Sequence, residues 1–166
     1  MHFFIVWITV NGVNDNTISA RIDRIAGLVW GVHAPFRQYI QRIPDGHVTV
    51  LDGAQMVESG ETFFPLDTQA TTPHELRFVG SLEFGGHNGM MAITVQQPWL
   101  QHDGEHWWLT IVDPFEPGSR MPMVALDMRD GDGTARLTET GTDLFMGNYN
   151  EGTVFDPVRI IWAEKD

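Results

Sequence analysis

The sequence predicts an all-β fold: an antiparallel β-sandwich-like domain with one or two short helices. Three observations carry that expectation. Turn signals recur at short intervals, at Asn11-Gly12, Pro44-Asp45-Gly46, Asp52-Gly53, Ser59-Gly60, Gly85-Gly86, Asp103-Gly104, Pro117-Gly118 and Asp130-Gly131-Asp132-Gly133. The runs between them are short and rich in β-formers, as in sandwiches and barrels. Only one segment breaks this pattern with helical periodicity.

The elements follow in chain order. Phe3-Phe4-Ile5-Val6-Trp7-Ile8-Thr9-Val10 is apolar but far shorter than the ~20 residues that span a bilayer. No Lys or Arg precedes it, and an Asn-rich stretch without a clear cleavage site follows. It reads as a buried strand rather than a signal peptide, which makes a cytoplasmic location the expectation. Ala34–Ile43 reads as a helix. Pro35 suits its first turn, Phe36, Tyr39, Ile40 and Ile43 repeat at i, i+3, i+4 and i+7, and Pro44 and Gly46 stop it. Its inner face therefore contains a tyrosine. Leu76–Phe84 alternates, with large apolar residues at 76, 78, 82 and 84, and reads as one half-buried strand. Met91–Val95 continues after a Gly-rich turn. Trp99–Gln101 and Trp107–Val112 flank Asp103-Gly104 as a hairpin. Val158–Trp162 is the closing strand.

Composition bounds the function. The chain has 166 residues, enough for one domain over 1–166 with a sizeable core. Its net charge of −12 argues against binding nucleic acid or an anionic membrane, both of which need a basic face. The absence of cysteine removes disulfides, thiolate metal sites and thiol catalysis. No Gly-x-Ser-x-Gly elbow or phosphate-binding glycine fingerprint is present. The acidic run from Asp127 lacks the ligand spacing of a calcium loop and reads as a solvated hairpin turn. His102 and His106 stand four apart, but Asp103-Gly104 between them breaks any helix, so the pair reads as solvated near a turn.

Two features remain. There are two tyrosines, Tyr39 and Tyr149, against ten phenylalanines. Where Phe supplies bulk, a Tyr on an apolar helix face points to its hydroxyl, although taken alone a buried hydroxyl that simply meets a backbone carbonyl is the simpler reading. Second, Gly85-Gly86-His87-Asn88-Gly89 puts an imidazole among glycines that permit close approach of a backbone or a flat ligand. A hairpin turn with an incidental histidine is the alternative.

Four ordered motifs then set the direction: Leu28-Val29-Trp30-Gly31-Val32-His33-Ala34-Pro35-Phe36-Arg37-Gln38-Tyr39; Asp52-Gly53-Ala54 with Thr62-Phe63-Phe64-Pro65; Phe78-Val79-Gly80-Ser81-Leu82-Glu83-Phe84-Gly85-Gly86-His87-Asn88-Gly89; and Tyr149-Asn150-Glu151-Gly152-Thr153-Val154-Phe155-Asp156-Pro157-Val158. From about Gly27 to Ile161 the chain resembles the HtaA domain, the haem-binding module of actinobacterial haem-uptake proteins. The resemblance implies a ferric haem b site in which Tyr39 ligates iron, His87 supports that tyrosine and Tyr149 contributes to binding. For such a site Phe36, Phe84 and Met90 are candidates to pack on the macrocycle, and Arg37 is either a partner for a propionate or a solvated cation. His33 stands where the family often has lysine and is a candidate for the haem edge. Tyrosine is a known haem ligand type, and an imidazole bonded to its oxygen would orient it and tune its basicity.

The implied role is haem acquisition, transport or storage. The implied partners are haem and a haem donor or acceptor protein, with a homodimer left open. Relatives are usually exported or on the cell surface. Two alternatives stand beside the carrier. One is a haem-dependent enzyme that uses an open distal face. The other is a cofactor-free recognition module with Trp99, Trp107 and Trp108 as a platform.

Overall fold

A computed structural model describes residues 22–128 and 133–163. The strand expected over 3–10 and the tip of the turn at Asp130-Gly131-Asp132 lie outside them. Among the described residues the chain runs β1 (Ile25–Trp30), α1 (Ala34–Arg42), β2 (His47–Leu51), β3 (Gln55–Met56), β4 (Thr62–Pro65), β5 (Glu75–Arg77), β6 (Ser81–Gly86) and β7 (Met91–Gln96). It continues through β8 (Trp99–His102), β9 (Trp107–Val112), β10 (Arg120–Asp127), β11 (Thr134–Leu137), α2 (Glu139–Leu144), β12 (Val154–Phe155) and β13 (Arg159–Trp162).

The strands form three antiparallel sheets, ordered β13-β1-β4-β3, β12-β11-β10-β9-β8-β5 and β2-β6-β7. The closing strand thus returns to pair with β1, with Leu28 opposite Ile160. One continuous core joins all three sheets and both helices: Leu28, Phe64 and Ile160 from the first, Leu100, Leu109 and Val124 from the second, Leu82, Phe84 and Ile93 from the third, Phe36 and Ile40 from α1, and Leu144 from α2. The β8–β9 hairpin forms as expected. The Asp103 carboxylate closes it, accepting from the Glu105 and His106 amides and from the Trp108 indole.

One expectation changes, and one alternative loses its basis. Leu76–Phe84 is not one strand. β5 pairs with β8 and β6 pairs with β2 and β7, so the run crosses from one sheet to another. The break is at Gly80, whose φ is +109° and where a Cβ would lie 2.7 Å from the Ala54 Cβ. All four apolar side chains are still buried, because each half keeps its own alternation. The tryptophans do not form a shared platform either. Trp107 is core, Trp108 bonds Asp103, and the guanidinium groups of Arg77 and Arg120 lie 4.0 and 3.7 Å from the Trp99 ring.

Candidate functional site

Helix α1 forms where expected, with Pro35 in its first turn and Phe36, Ile40 and Ile43 buried beneath it. Tyr39 differs from them. It lies at the edge of the apolar stripe, 45% exposed, and its ring is turned into a cleft. The cleft holds about 320 Å³ and is lined by Phe36, Tyr39, His87, Met91, Ile93, Phe145, Met146, Asn148 and Tyr149. Its volume falls in the range of small-molecule pockets, and its lining is mostly apolar and aromatic.

The Tyr39 hydroxyl lies 2.6 Å from the His87 Nε2, joining residues 48 positions apart. His87 occupies the loop between β6 and β7 in an unusual backbone state. His87, Asn88 and Gly89 have φ of +52°, +58° and +86°. The left-handed region costs a non-glycine residue about 1 kcal/mol or more, so such a pair of residues needs outside support. Asp45 supplies it: its carboxylate accepts from the His87 amide at 3.0 Å and the Asn88 amide at 2.7 Å. The Asn88 amide bond is the largest cause holding the Asp45 carboxyl below its ordinary value.

The opposite wall follows α2. Thr138 caps that helix by accepting from the Gly141 amide at 2.9 Å. Beyond it, edge-to-face contacts run from Phe84 to Phe36 (5.0 Å), Phe36 to Phe145 (5.2 Å) and Phe145 to Tyr149 (5.3 Å). Burial, then the neighbouring Tyr39, push the Tyr149 phenol above its ordinary value. Both tyrosines therefore face one cleft from separate walls.

A second device fixes the start of α1. Val32 has φ +66°, an outlier for a β-branched residue, and the His33 amide donates to the Gly31 carbonyl across it at 2.8 Å. Asp156 holds this bend. One carboxylate oxygen accepts from the Ala34 amide at 2.9 Å, the other from Arg37, and its own amide donates to the Val32 carbonyl. Arg37 also donates to the Gly31 carbonyl at 2.6 Å. A Cβ on Gly31 would lie 2.2 Å from the Arg37 guanidinium, so this packing requires glycine.

The remaining expected site residues fall elsewhere. Arg37 lies outside the cleft lining and is committed to Asp156 and Gly31, because the bend needs its charge. Phe84 is buried behind Phe36 and braces it rather than facing the cleft. Met90 is 84% exposed, whereas its neighbour Met91 lines the cleft, because Met91 opens β7 and points inward. His33 is buried, stacked on Phe155 at 4.3 Å and edge-on to Tyr149 at 4.9 Å, and burial is the main cause depressing its pKa. It touches a cleft residue without lining the cleft. Asp45 and Asp156 escaped the sequence reading. The first looked like turn chemistry, and the second sat in a quoted motif without an assigned role.

The sequence and the fold can both be compared with known proteins. The family profile described as Htaa matches residues 26–161. The chain belongs to the HtaA family. Three solved structures from Corynebacterium glutamicum share its fold. The N-terminal domain of HtaA superposes with TM-score 0.69 at 22% identity, covering 86% of this chain and 100% of that one. The C-terminal domain of HtaA gives 0.68 at 21%, covering 84% and 98%. The haem-binding protein HtaB gives 0.66 at 16%, covering 84% and 92%. No curated protein sequence matches significantly.

Proposed function

We propose that this HtaA-family chain binds ferric haem b as cargo, for acquisition, transport or storage, with the Tyr39 oxygen as the iron ligand. The carrying observation is the 2.6 Å contact between the Tyr39 hydroxyl and the His87 Nε2 at an apolar cleft. The donor set fits the group. A phenolate is a hard anionic oxygen that favours ferric over ferrous iron. The His87 imidazole can take a hydrogen bond from the phenol or give one to the phenolate, so it accommodates both protonation states of Tyr39. Phe36, Met91, Ile93 and Phe145 supply apolar surface, and Tyr149 stands on the facing wall. The family and a fold shared with a haem-binding protein support the same reading.

The chain's own contribution is to orient one oxygen beside an apolar wall. Phe36, one helical turn before Tyr39, anchors α1 in the core, so the phenol leaves a rigid base. Titration of the protein with ferric haem, followed by absorption spectroscopy, tests this. Tyr39→Phe should lose the tyrosinate-type spectrum and bind at least tenfold more weakly, with far-UV circular dichroism unchanged. An unchanged spectrum and affinity in that variant would remove Tyr39 as the ligand.

A further inference from the structure

The Tyr39–His87 contact raises a mechanical question. Its two partners come from a helix and from a hairpin loop that share no backbone hydrogen bond with each other. The β6–β7 ladder fixes the loop only at its ends, where Gly86 pairs with Met91. Within it, the left-handed backbone at His87 and Asn88 turns successive amides toward one point. Such a concavity of N–H groups binds an anion. The Asp45 carboxylate fills it, one oxygen to each amide.

Asp45 is itself held rigidly to the helix that carries Tyr39. The Gly46 amide donates to the Ile43 carbonyl at 3.0 Å, closing a turn over Pro44 and Asp45. Proline suits that place in the turn. A Cβ on Gly46 would lie 1.9 Å from the Ile40 carbonyl oxygen, so the turn sits tight against the last turn of α1. A stiff connection thus runs from Tyr39 through the end of α1 to Asp45, and on to the His87 amide. Asp45 touches neither the cleft nor the Tyr39 hydroxyl.

We propose that Asp45 is the positioning residue that holds the His87 imidazole against Tyr39, and that it sets ligand affinity through that contact alone. The proposal rests on the haem-binding reading for its affinity effect, but its geometric part does not.

Two measurements test it, on the full chain. Without haem, amide exchange followed by NMR should show the His87 and Asn88 amides losing protection in Asp45→Ala, while the β6 and β7 amides keep theirs. Asp45→Asn, which retains one acceptor oxygen, should lie between. With ferric haem, Asp45→Ala should weaken binding roughly tenfold, the lower end for groups that support a metal ligand. In a His87→Ala background the same change should cost nothing further. An equal loss in both backgrounds would show that Asp45 acts by another route, and unchanged binding in the wild-type background would remove its role; either overturns the proposal. If Tyr39→Phe binds haem as the wild type does, the assignment of Tyr39 as the ligand fails instead, and the amide exchange alone then decides whether Asp45 holds the His87 loop.

Discussion

Removing one carboxylate at Asp156 should destabilise the domain more than most single changes. The Arg37 and Asp156 side chains are 20% and 18% exposed, so their pair is largely shielded from water. Breaking a fully buried pair from one side costs about 3–5 kcal/mol, and the residual exposure here brings the loss below that range, to about 2–3. The lost acceptor for the Ala34 amide, a cap supplied from 122 residues away, adds about 1 kcal/mol. The sum for Asp156→Ala is about 3–4 kcal/mol, a large part of a typical domain stability of roughly 5–15 kcal/mol. Pro157 biases residue 156 to extended backbone whatever its side chain, so the effect belongs to the carboxylate. Asp156→Asn keeps an acceptor for Ala34 but loses the charge, and should cost about half as much. Urea unfolding followed by tryptophan fluorescence gives the free energies, and a double-mutant cycle with Arg37→Ala isolates the pair, with an expected coupling of about 1.5–3 kcal/mol. A loss below about 1 kcal/mol for Asp156→Ala, or zero coupling, would refute the reasoning that this clamp fixes the base of α1.

Two further outcomes follow from the geometry. Gly80→Ala places a Cβ 2.7 Å from the Ala54 Cβ at a backbone with φ +109°, and should cost about 2 kcal/mol or more in thermal or urea unfolding; wild-type stability would deny that Gly80 forces the crossing between sheets. His33 is buried with its pKa depressed, chiefly by desolvation, so below about pH 6.5 the unfolded chain binds a proton that the folded chain resists. Its contribution is therefore intact above that pH and is lost as pH falls toward the folded-state value. His33→Gln should flatten the decline in unfolding free energy between pH 7 and pH 5, and an unchanged slope would assign the decline to other groups.

Much of this protein could be read from the order of its residues alone. Local chemistry set the helix at Ala34–Arg42, because Pro35, the Phe36–Ile40–Ile43 spacing and the Pro44–Gly46 stop all act within a few residues. The hairpin around Asp103-Gly104 and the burial of alternating apolar side chains were legible for the same reason. So were Tyr39 and His87 as singular residues, and their family motifs.

What the sequence could not decide was everything that depends on two distant segments meeting. A periodic run such as Leu76–Phe84 has the same alternation whether it stays in one sheet or crosses to another, and only the approach of Ala54 to Gly80 settles it. Arg37 stood as a candidate partner for a propionate, and only the fold brings Asp156, 119 residues later, against it. Met90 and Met91 are interchangeable by composition, and the direction of β7 sends only Met91 into the cleft. Alternation and capping are properties of neighbours along the chain, whereas a 2.6 Å bond between a helix and a loop exists only after the core has chosen their distance.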